Sequence, residues 1–216
     1  MNAKPDEPRI RSQKQRKSGS ACAIPNPRRL EECRRFVAAH GDRYVGAAVW
    51  GLGLYETVWT LRGFENALAD AAGDEGFYAA VVERVALFVE SLLDVALELP
   101  VDYVSFGDDV GDQLGVTIGP DRWRRYFKAH WTRLCGKAHA AGKKVFLHSC
   151  GSVADILTDL IEAGIDILDP VQPEPRGMNP YALKKNLRRP DHLPRRAGQP
   201  DDDPVQHADV HSRRDR

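Results

Sequence analysis

The stretch KVFLHSCGSVADILTDLIEAGIDILDP, residues 144–170, decides the fold. Residues 144–147 read as a strand that is apolar after Lys144, and His148-Ser149-Cys150-Gly151 ends it. Ile156, Leu157, Leu160 and Ile161 then recur at helical spacing up to Gly164, a residue suited to a helix end. Residues 165–168, Ile-Asp-Ile-Leu, read as the next strand. Strand, covering helix and strand in this order indicate a parallel sheet with helices outside it.

The same alternation continues on both sides. Residues 44–50 form a short apolar run closed by Gly51 and Gly53. Residues 75–99 predict a long helix, with Tyr78, Val81, Val82, Val85, Phe88, Val89, Leu92 and Leu99 on one face. Glu83, Arg84, Glu90 and Asp94 take the other face, Asp74 caps the start and Pro100 stops it. Residues 102–106 read as a strand. Pro120 opens a helix through Trp123, Phe127, Trp131, Leu134 and Ala138 that ends at Gly142. Residues 180–185 begin another helix. No GxGxxG or P-loop pattern occurs, which disfavours a nucleotide-binding sheet. The expected class is therefore α/β, a partial (β/α)8 barrel whose C-terminal part is missing, because only four or five of the eight βα units fit.

Composition sets limits on function. The 216 residues are 42% hydrophobic and 29% charged, with 31 basic and 31 acidic side chains. A formal net charge of zero argues against duplex nucleic acid or an anionic membrane as a bulk partner. Neither a membrane span nor a secretory signal is present in the sequence, and Cys22, Cys33, Cys135 and Cys150 form no disulfide framework or CxxC clip. A cytoplasmic, reducing location is expected, with Cys135 in the core. Residues 1–20 hold Lys4, Arg9, Arg11, Lys14, Arg16 and Lys17 and almost nothing apolar, and they make residues 1–27 a basic tail. They are expected to be a disordered tail, or to precede the true start of the protein. The folded domain is expected over residues 28–186.

Three expected strands end in polar clusters, and in a parallel barrel chemistry gathers at those ends. Residues i and i+2 leaving a strand point the same way, so His148 and Cys150 can converge on one ion, and zinc suits an imidazole with a thiolate. The competing reading is a buried Cys beside a chance His. Asp108 and Asp109 can supply a metal carboxylate, a general base or an anchor for a cation; equally they can be a solvated turn or a cap. His130 and His139 fall on a charged helix surface and receive no role.

LRGFENAL (61–68), FGDDVGDQLG (106–115), Pro120-x-x-Trp123-Arg124-x-x-Phe127, HAAGKKVFLHSCG (139–151) and DLIEAGIDILDPVQPE (159–174) together resemble the uroporphyrinogen decarboxylase superfamily. The resemblance spans residues 40–186. It implies an enzyme acting on a small-molecule substrate. The HxC pair resembles the branch of zinc-dependent methyltransferases, which move methyl groups between a methylated corrinoid protein and a thiol or similar acceptor. That branch implies zinc on His148 and Cys150, a corrinoid carried by a partner protein, and Asp108 and Asp109 at the acidic strand-end position. The alternative within the superfamily is decarboxylation of a porphyrinogen in tetrapyrrole biosynthesis, although the RQAGR motif of those enzymes does not occur. A third alternative is an inactive remnant.

From residue 187 the text loses aromatic residues and periodicity. Back-translated with chosen synonymous codons and read one base later, residues 187–214 can yield FGDRITFHGG and further strand-like text. A frameshift near Asn186 is therefore expected. So are poor solubility and little turnover for the 216-residue chain alone.

Overall fold

Four short parallel strands position everything else. The computed structural model describes residues 27–51 and 53–187. In it β1 (Gly46–Trp50), β2 (Tyr103–Gly107), β3 (Lys144–His148) and β4 (Ile167–Asp169) pair in the order β1-β2-β3-β4. Gly107 lies level with His148, and His148 with Asp169, so three strand ends meet side by side. The helices are α1 (Pro27–Ala39), α2 (Tyr55–Arg62), α3 (Phe64–Gly73), α4 (Glu75–Leu97), α5 (Pro120–Trp123), α6 (Ala129–Ala140), α7 (Leu157–Ala163) and α8 (Pro180–Leu187). This is an α/β fold, a partial barrel-like sheet with helices packed outside it. The expected tails, residues 1–27 and 187–216, lie outside the described residues except for Pro27 and Leu187.

Alternation along the strands explains the packing. Val104 and Phe106 of β2, and Val145 and Leu147 of β3, are buried beneath the helices. Trp131 of α6 meets the Phe106 ring edge-on at 5.3 Å. The α4 helix behaves as its pattern requires: Tyr78, Val82, Val85, Val89 and Leu93 are buried, and the Asp74 side chain accepts from the Phe77 amide at 3.1 Å.

Several boundaries move for identifiable reasons. β1 starts at Gly46 rather than at residue 44, because the Val45 amide donates to the Asp102 carboxylate at 2.7 Å. Tyr44 meanwhile stacks on Tyr103. β4 starts at Ile167, since Asp166 turns its carboxylate onto the Val145 amide at 2.9 Å. The helix opened by Pro120 contains a π-helical turn, Arg124–Lys128, with Tyr126 and Phe127 both buried. α2 and α3 were not anticipated as helices. The surface placement expected for His130 and His139 is corrected. α6 packs between α4 and α7, so both rings are mostly covered, and His139 Nε2 lies 2.7 Å from Asp166 Oδ2. Cys135 is fully buried in the core. No helix of the described residues is long and apolar enough to cross a membrane.

Candidate metal centre

The alternation that buries Leu147 also aims its neighbours. Ser149 is fully buried, and its hydroxyl accepts from the Val110 amide at 3.3 Å. His148 and Cys150, on either side, turn the other way and bring Nε2 to 3.5 Å from Sγ. Asp109, just past the end of β2, places Oδ1 3.8 Å from the same Nε2 and accepts the Cys150 amide at 2.7 Å. One ligand atom from each of Asp109, His148 and Cys150 lies within 4.8 Å of the others. His148 Nδ1 faces Asp169 Oδ2 at 3.6 Å, the second ring nitrogen thus meeting a carboxylate as it commonly does in metal-ligating histidines.

Donor chemistry and spacing both fit zinc. A tetrahedral ion with bonds of about 2.0–2.1 Å to nitrogen and 2.3 Å to sulfur holds those donors about 3.6 Å apart. The imidazole–sulfur separation here is 3.5 Å. Burial first, and then the carboxylates of Asp109, Asp169 and Glu56, push the Cys150 thiol above its ordinary value. Every charged group in that set is acidic, a setting that stabilises a cation.

Backbone contact between two loops makes the convergence possible. Gly151 has φ +79°, and a Cβ there would stand 2.5 Å from the carbonyl carbon of Gly111. The Ser152 amide donates to the Asp112 carbonyl at 2.7 Å across the same contact. Only a residue without a side chain lets the turns after β2 and β3 approach this closely.

The two neighbouring aspartates part company. Asp108 is fully buried, and its carboxylate accepts the Tyr55 amide at 3.2 Å and the Glu56 amide at 3.0 Å. It caps the N-terminus of α2, more than fifty residues earlier in the chain, and stands outside the Asp109–His148–Cys150 group. Burial pushes its carboxyl up to about 8, while the α2 amides act to hold it down. Gly53, at φ +56°, leaves room for it, since a Cβ there would fall 2.3 Å from the Asp108 Cβ.

Glu56 was missed by sequence reasoning. Its Oε2 accepts the Asp109 amide at 3.0 Å, so its carboxylate sits against the group of three. Burial raises its carboxyl above the ordinary range, while the Asp109 amide and the His148 charge pull the other way. A lone glutamate beyond a glycine pair carries no spacing signal, and only the α2 crossover brings it here. Gln172 closes the rim, its Oε1 accepting the Gly151 amide at 2.9 Å.

Comparison with known proteins gives a consistent answer. A solved methyltransferase from Methanosarcina mazei superposes with a TM-score of 0.55 and 18% identity over 66% of this chain. At that identity the likeness is one of fold, and this chain spans 40% of that methyltransferase. No curated protein sequence matches. The family model for uroporphyrinogen decarboxylase (URO-D) matches residues 56–171, more than half of the 216 residues. That match begins at Glu56 and runs through β2, β3 and β4, taking in Asp108, Asp109, His148, Cys150 and Asp169. The chain belongs to the uroporphyrinogen decarboxylase (URO-D) family.

Proposed function

We propose that this protein is a zinc-dependent, methyltransferase-like member of the family, with Asp109, His148 and Cys150 as the metal ligands. The carrying observation is the meeting of three chemically different donor atoms, all within 4.8 Å, at the ends of two adjacent parallel strands. Bound there, zinc would lower the pKa of an acceptor thiol so that it reacts as a thiolate at neutral pH. The protein's own groups have separate tasks. Asp169 orients the His148 ring through Nδ1 and leaves Nε2 for the ion. Asp109 holds the Cys150 backbone while presenting its carboxylate. Asp108 anchors α2, in place of the catalytic role expected alongside Asp109. The methyl donor on this reading is a methylated corrinoid carried by a partner protein, and the acceptor is a small thiol.

Porphyrinogen decarboxylation is the weaker reading. That chemistry calls for cationic groups facing a polycarboxylate, whereas the charged groups acting on Cys150 are Asp109, Asp169 and Glu56. Metal analysis of the purified protein tests the choice. Stoichiometric zinc that is lost in His148→Ala is the expected result. Metal-free protein that turns over a porphyrinogen would overturn it.

A further inference from the structure

Glu56 touches the ligand group without belonging to it. Its backbone is held from behind, because its amide donates to the buried Asp108 carboxylate at 3.0 Å. Its side chain reaches forward, and Oε2 accepts the Asp109 amide at 3.0 Å. Asp109 passes the constraint on through Oδ1, which accepts the Cys150 amide at 2.7 Å and stands 3.8 Å from His148 Nε2. Three carboxylates in series thus connect the first turn of α2 to the loops after β2 and β3. The first of them is fully buried and the last is exposed enough to meet an ion.

We propose that Glu56 is a positioning residue of the metal centre, fixing the turn that carries the Asp109 carboxylate and thereby setting the affinity for zinc. This rests on the reading of Asp109, His148 and Cys150 as ligands. The physical reason is freedom. Without an acceptor on its amide, the Asp109 turn samples other conformations, and binding an ion must then order it at a cost in entropy. Loss of such an outer hydrogen bond typically lowers metal affinity about 10–100-fold. The glutamate length matters too. The bond spans from the α2 turn to the end of β2, and an aspartate falls one methylene short.

The test needs no enzymatic activity. Zinc affinity of the full 216-residue protein is measured by competition with a chromogenic chelator, for the wild type and for Glu56→Ala, Glu56→Gln and Glu56→Asp. Glutamine keeps an acceptor oxygen at the right reach and loses the charge; aspartate keeps the charge and loses the reach. The expected result is about 10–100-fold weaker binding in E56A, a similar loss in E56D, and recovery of most of it in E56Q. Loss in E56Q equal to that in E56A, or wild-type affinity in E56D, overturns the positioning role. Cobalt(II) spectra supply a second readout. E56A should keep the thiolate-to-cobalt band of Cys150 while its d–d bands change, with E56Q resembling the wild type. A d–d spectrum of E56A identical to that of the wild type overturns the proposal. A wild-type protein that binds neither ion overturns the ligand assignment instead, so the two failures are distinguishable.

Discussion

Asp109 and Cys150 are joined by a 2.7 Å hydrogen bond from the Cys150 amide to the Asp109 carboxylate, although 41 residues separate them. The bond closes the gap between the ends of β2 and β3. It orients one proposed ligand by means of another, so the two positions are coupled in any mutational analysis.

Asp108 and Asp109 should therefore separate cleanly on substitution. Asp108→Ala leaves two α2 amides without their acceptor in a buried site, and should cost about 1–3 kcal/mol of stability in urea denaturation. Zinc binding should persist in whatever fraction stays folded. Asp109→Ala should do the reverse, with a small change in melting and a large loss of zinc affinity by chelator competition. Equal effects on both measurements would contradict the division of labour.

Gly151→Ala should be severe and Gly136→Ala mild or stabilising. At Gly151 the left-handed backbone alone costs about 1–2 kcal/mol, and the added Cβ also meets the Gly111 carbonyl. Gly136 lies in α6, where an added Cβ would find nothing within 4 Å, so alanine there should gain up to about 1 kcal/mol of helix propensity. Urea midpoints of the two variants check this.

Thiol alkylation should rank the cysteines. Among the described cysteines, Cys33 is exposed on α1 and should react fastest with iodoacetamide, whereas the buried Cys135 should react only on unfolding. Cys150 is partly accessible, but burial and the surrounding carboxylates raise its thiol pKa, which slows it at neutral pH. Added zinc should block Cys150 and leave Cys33 unchanged, as followed by peptide mass mapping.

Acid should weaken the end of the sheet remote from the candidate metal centre. Burial works to raise the Asp166 carboxyl, but His139, the Val145 amide and Lys144 together hold it below its ordinary value. A carboxyl depressed in the folded state contributes stability that is present above its unfolded pKa of about 3.9 and is lost as the pH falls through the folded value. Asp166→Asn should consequently be less stable than the wild type near neutrality, and the gap should close below about pH 4. Urea unfolding across that range is the measurement. A gap that widens in acid would contradict the ion pair.

The alternation of short apolar runs with amphipathic helices was readable because period and punctuation are local properties. The α4 face, the Asp74 cap and the helix end at Gly164 follow from neighbours within a turn or two. Helices α2 and α3 escaped because each is short and bounded by glycine, so neither builds a long apolar stripe. The π-helical turn escaped because nothing local to Arg124–Lys128 marks it; both Tyr126 and Phe127 are buried there against the rest of the core.

For the site, the sequence by itself determined that His148 and Cys150 share one side of the chain, since a period of two is built into any strand and Gly151 frees the turn beyond it. It also grouped Asp108 with Asp109 and could do no better, because adjacent residues carry the same composition and the same spacing. Tertiary structure alone decided which of them faces His148. The α2 helix, arriving from more than fifty residues away, offers two amides to Asp108 and takes the Asp109 amide through Glu56. Burial of a carboxylate requires partners, and where those partners lie is set by how strands pack side by side, not by their order along the chain.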